Sequence, residues 1–322
     1  MKRFLGFGLL AIAASVANLG FGQAAAPASA PPPAPDAAKA AAAPAALLTD
    51  AVPALWKVKG VHGTVYLFGT IHVMKKDVNW ETAKVKDALG ASDTLYLEIA
   101  GLDDAAMTAA QPLLMELGTD KEHVLSTKIS KADVDLLDSA AKTLGAPGEQ
   151  VFESLQPWMA YLTISVVPLV QAGYDPNSGI DKKLEAEATS GKKTVKGFET
   201  LEGQVHFMAD LPMALQTQML HQMLTDLPQA VSDTDAMVAD WTRGDVEAIG
   251  KLENEEMRDK YPELYKTLLL KRNEHFADTL AGQLKDPATG TEFVAIGAAH
   301  LAGEDSVVKM LATRGFTAER VE

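Results

Sequence analysis

Two histidines far apart in the chain are delivered in the same way. VYLFGTIH ends at Gly69, Thr70, Ile71 and His72, and EFVAIGAAH ends at Gly297, Ala298, Ala299 and His300. Each segment predicts a buried strand that stops at a glycine and presents an imidazole just past its end. In an α/β sheet, ligands gather at that end. Two imidazoles placed there can meet on one metal ion or one reaction centre. The plainer reading of each histidine is structural, with the ring donating to a backbone carbonyl.

Glu98 is the third residue that could do chemistry. It lies in TLYLEI, whose other face carries Leu95, Leu97 and Ile99. An ionised carboxylate in such a run is costly unless a cation or hydrogen-bond donors meet it. Its bland reading is an edge-strand glutamate facing water. Two histidines and a carboxylate would bind zinc, manganese, cobalt or iron and leave positions open for water and substrate. Such an ion lowers the pKa of bound water and polarises a carbonyl. The helical HExxH pattern and the Gly-x-Ser-x-Gly elbow are both absent. With no cysteine in the chain, thiolate nucleophiles and cysteine-based zinc sites are excluded.

The elements that must carry these groups are legible in outline. A hairpin is expected from Trp56–Lys57–Val58, a turn at Gly60 to Gly63, and a return over Val65 to Phe68. A helix is expected at 80–89, a strand at 94–99, and helices at 103–116 and 130–145. Ser130 with Asp133 resembles a capping box. A long, mostly helical stretch should run from Phe152 to Leu284, broken at Gly173 to Gly179 and by a strand-like Lys193–Thr194–Val195. The chain should close with a strand at Phe293 to Ile296, a helix at Asp305 to Thr313 with a C-cap at Gly315, and a strand at Phe316 to Val321. Strands at both ends with helices between them predict an α/β fold: a central mixed sheet from the N- and C-terminal segments, with a large helical insertion.

The 322-residue chain carries a net charge of −14, which argues against nucleic-acid binding, since that needs a basic footprint. Lys2 and Arg3 precede an apolar run from Phe4 to about Gly22, followed by small residues. This reads as a signal peptide over 1–23 and so predicts a periplasmic or secreted protein, with membrane contact only through the export signal. Residues 24–47 are almost all Ala and Pro, a linker too poor in large apolar groups to fold. The folded domain is expected over 48–322. His62, His123, His206, His221 and His275 read as surface or packing residues, and Arg243–Gly244–Asp245 as a helix junction.

Five collinear segments add a resemblance: LWKVKGVHGTVYLFGTIHV, DTLYLEI, GIDKKLEAEATSGKKTVKGFETLEGQ, LYKTLLLKRNEHFADTL and FVAIGAAHLAGEDSVVKMLATRGF. In order and spacing they resemble the TraB/PrgY/GumN family, whose wider group includes the Tiki metalloproteases. The resemblance implies an erythromycin-esterase-like or ChaN-like fold. It also implies a divalent-metal hydrolase active on peptides or other small amides or esters, with His72, His300 and Glu98 as metal ligands. Four more positions fall in recurrent family segments. Glu199 is expected as a general base or an orienting group, and Arg272 as a clamp for a substrate carboxylate or a partner of Glu199. Gln204 and Asn273 are expected to bind substrate. A buried Glu199–Arg272 pair of purely structural purpose is the competing expectation. Manganese, cobalt and zinc are the candidate ions. Two rival functions remain: metal-free catalysis with His72 as general base, and a peptide- or glycan-binding regulator of the cell envelope that cleaves nothing.

Overall fold

The computed structural model describes residues 51–322. The expected signal peptide and Ala/Pro linker lie outside the described residues.

A six-stranded mixed sheet organises the domain, in the order β4-β3-β5-β2-β1-β6. β1 (Leu55–Lys59) and β2 (Thr64–Thr70) form the expected antiparallel hairpin, with Leu55 opposite Phe68. β3 (Thr94–Ile99), β4 (Thr194–Glu199) and β5 (Thr291–Gly297) run parallel to β2. β6 (Ala318–Arg320) closes the sheet antiparallel to β1. The strand-like Lys193–Val195 extends to Glu199, whereas the final strand is shorter than Phe316–Val321.

The strand order has one consequence for chemistry. β5 comes from the end of the chain yet lies between β2 and β3, with Gly297 opposite Thr70. The two Gly-x-x-His loops are therefore neighbours, and four parallel strands end at one edge. β5 can occupy the centre because TEFVAIG is apolar on both faces. Phe293 and Ala295 enter one core layer, while Val294 and Ile296 enter the other.

The first layer joins β2, β3 and β5 to the helical insertion, including helices Pro157–Gln171, Met213–Asp226 and Ala230–Thr242. Helix Pro157–Gln171 is buried almost all round, as its nearly unbroken apolar sequence requires. Among the described residues, no helix is long and apolar enough to cross a membrane.

The second layer is covered by helices Lys271–Lys285 and Val307–Thr313. Helix Lys271–Lys285 buries Phe276, Ala277, Leu280, Ala281 and Leu284 at helical spacing, and that face begins with Arg272 and Asn273. Packing the apolar stripe against the sheet thus brings these two polar side chains to the edge where the strands end.

Local capping follows the expected chemistry. Ser130 Oγ accepts from Asp133 N at 3.1 Å. The last helix starts at Val307 rather than Asp305, because Ser306 is its N-cap. Asp305 instead accepts from Tyr265 Oη at 2.8 Å and, through its carbonyl, from Asn273 Nδ2 at 2.7 Å. Asp245 caps helix Val246–Ile249 and Arg243 pairs with Asp240, so this triplet is a helix junction.

Candidate functional site

His72 leaves β2 through Ile71, whose carbonyl accepts from Ile180 N at 2.9 Å. This contact ties the loop to the start of helix Ile180–Ser190. Gly179 must be glycine there, since a Cβ would stand 2.3 Å from the His72 carbonyl oxygen. The ring of His72 is buried. Its Nδ1 lies 3.2 Å from Asp181 Oδ1, and its Nε2 lies 3.8 Å from Glu98 Oε1. Neither nitrogen completes a well-aligned hydrogen bond.

His300 sits in a short turn after β5 and is fully buried. Asn254 holds that turn by donating Nδ2–H to the carbonyls of Ala299 and Ala302, both at 2.9 Å. The His300 Nδ1–H donates to Asn273 Oδ1. Its Nε2 has no partner and points toward Glu98 Oε1 at 3.7 Å. His300 is thus held at Nδ1 by Asn273, His72 faces Asp181 with its own Nδ1, and both rings direct Nε2 at the same carboxylate oxygen.

Glu98 is 6% exposed, because β4 and β5 flank β3 on both sides. The edge-strand reading of this residue is therefore overturned. Its Oε1 accepts from Gly297 N at 2.7 Å, and its Oε2 accepts from the Arg272 guanidinium. Arg272 also donates to both oxygens of Glu199, at 2.8 and 2.7 Å. Gln204 Nε2 donates to Glu199 Oε2 at 2.8 Å and reaches Glu98 Oε2 at 3.4 Å, while its Oε1 has no partner. The guanidinium therefore links the glutamates of β3 and β4 and is turned inward. Asn273 is turned inward too, braced between His300 and Asp305.

The charges separate the two imidazoles. Burial works against a charged His72, but Asp181 and then Glu98 outweigh it and hold its pKa up to about 8. Burial, reinforced by the Arg272 charge, pushes His300 down to about 3. Burial also opposes ionisation of Glu98. Arg272, the two imidazoles and the Gly297 N–H overcome it and hold that carboxyl well below the usual carboxylate range. At neutral pH, His300 presents a neutral Nε2 lone pair and His72 carries a proton between two carboxylates.

A small cavity of about 10 Å³ borders His72, Glu98, Asp181 and Gln204. It has room for one water or ion. Gly297 lets Glu98 and the two imidazoles approach one another, since a Cβ there would lie 3.0 Å from Glu98 Oε1, 3.5 Å from the His300 ring and 3.6 Å from His72 Nε2. Among the described residues, no group of three His, Asp or Glu side chains stands as a ready-made metal cage. The donor set is nonetheless of the right kind. Two ligand atoms bonded at roughly 2.1 Å to a tetrahedral ion lie roughly 3.4 Å apart. The Nε2–Oε1 separations of 3.7 and 3.8 Å exceed this by a few tenths of an ångström.

Asp181 does not stand out in the sequence. Its only signal was a place in the first turn of helix Ile180–Ser190, where an acid is ordinary. His62, His123, His221 and His275 are exposed and His206 is half-buried.

No solved structure matches the chain. An uncharacterized protein of Treponema pallidum (strain Nichols) is 19% identical over 214 residues, which span 65% of this chain and 63% of the relative's length. The TraB/PrgY/gumN family profile matches residues 54–320, and the chain belongs to that family.

Proposed function

We propose that this protein is an exported, divalent-metal-dependent hydrolase that acts on peptides or other small amides or esters. One observation carries the reading: two buried imidazoles aim unpartnered Nε2 atoms at one oxygen of a buried carboxylate. A carboxylate or amide behind an imidazole is the usual support of a metal-binding histidine, because it fixes the tautomer and the ring orientation. Asp181 and Asn273 supply that support here. His72 Nε2, His300 Nε2 and Glu98 Oε1 would hold the ion, with manganese, cobalt and zinc as candidates. When bound, the ion would activate water and polarise the scissile carbonyl.

The remaining residues prepare the site. Arg272 keeps Glu98 ionised and fixed in place, Glu199 anchors Arg272, and Gln204 holds Glu199 in turn. Gln204 borders the cavity and offers its unpartnered Oε1 to an occupant. A peptide is larger than this cavity. Access therefore requires the cavity's lining, Leu102 included, to yield. Export is supported by the basic start and apolar run at residues 2–22.

A second reading has its own support. His72, held protonated between Asp181 and Glu98, is placed for metal-free acid–base catalysis. Peptide turnover before and after EDTA separates the readings. The metal reading expects loss of turnover with EDTA and its return with manganese, cobalt or zinc. Turnover that persists after EDTA contradicts the metal reading in favour of acid–base chemistry. Peptide recovered intact under every condition contradicts both and leaves a binding regulator.

A further inference from the structure

A larger pocket lies beside the Glu199–Arg272 pair and shares no lining residue with the cavity that borders His72. Its volume is about 530 Å³, within the range of small-molecule sites. Phe198 and Phe207 give it apolar walls, and Thr200, Thr267, Lys271 and Arg272 contribute polar groups. The Arg272 guanidinium lies 6.0 Å from the centre of the Phe207 ring, which fixes this wall against the buried charge network.

The polar groups of the pocket are unequal in what they still offer. Both oxygens of Glu199 already accept from Arg272, so the pocket's carboxylate is engaged. Lys271 has no ion-pair partner among the described residues, and its side chain is exposed. Thr200 Oγ1 accepts from Gly203 N at 3.0 Å, which leaves its hydroxyl proton to donate. Thr267, in the wide turn Lys266–Leu270, brings a second hydroxyl. His275 spends its Nε2 on the Phe198 carbonyl at 3.3 Å. The pocket thus combines two phenyl rings with one uncommitted cation and two hydroxyl donors. We propose that it is a separate binding site for a small amphipathic monocarboxylate, with the apolar body between Phe198 and Phe207 and the carboxylate on Lys271 and the two threonines.

This site adjoins the proposed hydrolytic centre through Glu199 and Arg272 but shares no lining residue with the cavity at His72. The test is calorimetric titration of the full chain with hydrocinnamate and with its neutral amide. The acid is expected to bind about tenfold or more tightly than the amide, because a hydrogen bond to a charged group is worth more than one to a neutral group. Lys271→Gln, on an exposed side chain, should weaken the acid about tenfold and leave the amide unchanged. Phe207→Ala should weaken both. His72→Ala should change neither, which separates this site from the centre at Glu98. Equal affinity of acid and amide, no saturable binding of the acid, or an unaffected Lys271→Gln variant would overturn the proposal.

Discussion

Replacing Arg272 by methionine is expected to destabilise the protein by about 3–5 kcal/mol, the usual result of removing one partner from a buried ion pair. Arg272 is 3% exposed and donates to Glu98 and to both oxygens of Glu199. Methionine would fill much of the space but leave two buried carboxylates facing each other. Gln204 could satisfy only one oxygen of each. The cost is therefore electrostatic rather than a cavity. Urea unfolding of the variant checks this, with the midpoint and slope measured together. Adding Glu98→Gln and Glu199→Gln to the variant should recover much of the loss, since no buried charge then lacks a partner. A loss under about 1 kcal/mol would place the pair in the class of exposed salt bridges and refute its buried role.

His72→Ala is expected to lower peptide turnover by roughly 10²-fold or more while the fold survives, the usual cost of losing one group at a reacting centre. The imidazole projects from a loop whose backbone is held separately by Ile180 and Gly179, so far-UV circular dichroism should be unchanged. The wild type carries a pH signature that the variant should lack. His72 is held up to about 8 by Asp181 and Glu98, so below that pH an incoming ion must displace a proton from it. Metal affinity should then rise by about tenfold per pH unit up to about pH 8 and flatten above it. His300, held down to about 3, is already neutral over this range and adds no slope. Turnover equal to wild type in His72→Ala would remove this histidine from the chemistry.

The readable parts of this protein were those with a local signature. An apolar run ending in glycine and followed by histidine marks a strand end in one dimension, and it occurs twice. Glu98 stood out because it interrupts a run that is otherwise buried. The hairpin, the capping at Ser130 and the helical insertion follow from periodicity and turn residues in the same way.

What stayed hidden depends on tertiary pairing. Nothing local says that β5 inserts between β2 and β3, yet that placement alone joins the two histidine loops. Nothing marks Lys193–Val195 as the start of the strand that covers Glu98. Asp181 looked like an ordinary acid at a helix start, because helix geometry explains it fully until His72 is placed beside it. The sequence alone places Asn273 as a substrate-binding residue. Its burial and its bond to His300 follow only once the stripe Phe276–Leu284 is packed on the sheet.

The central claim is that one ion joins His72, Glu98 and His300. Anomalous diffraction from crystals of protein purified without chelators tests it most directly. One transition-metal peak is expected, roughly 2.0–2.2 Å from each of the two Nε2 atoms and from Glu98 Oε1. No peak at that position after soaking in manganese, cobalt and zinc, or a single peak bound by other residues, would contradict the claim.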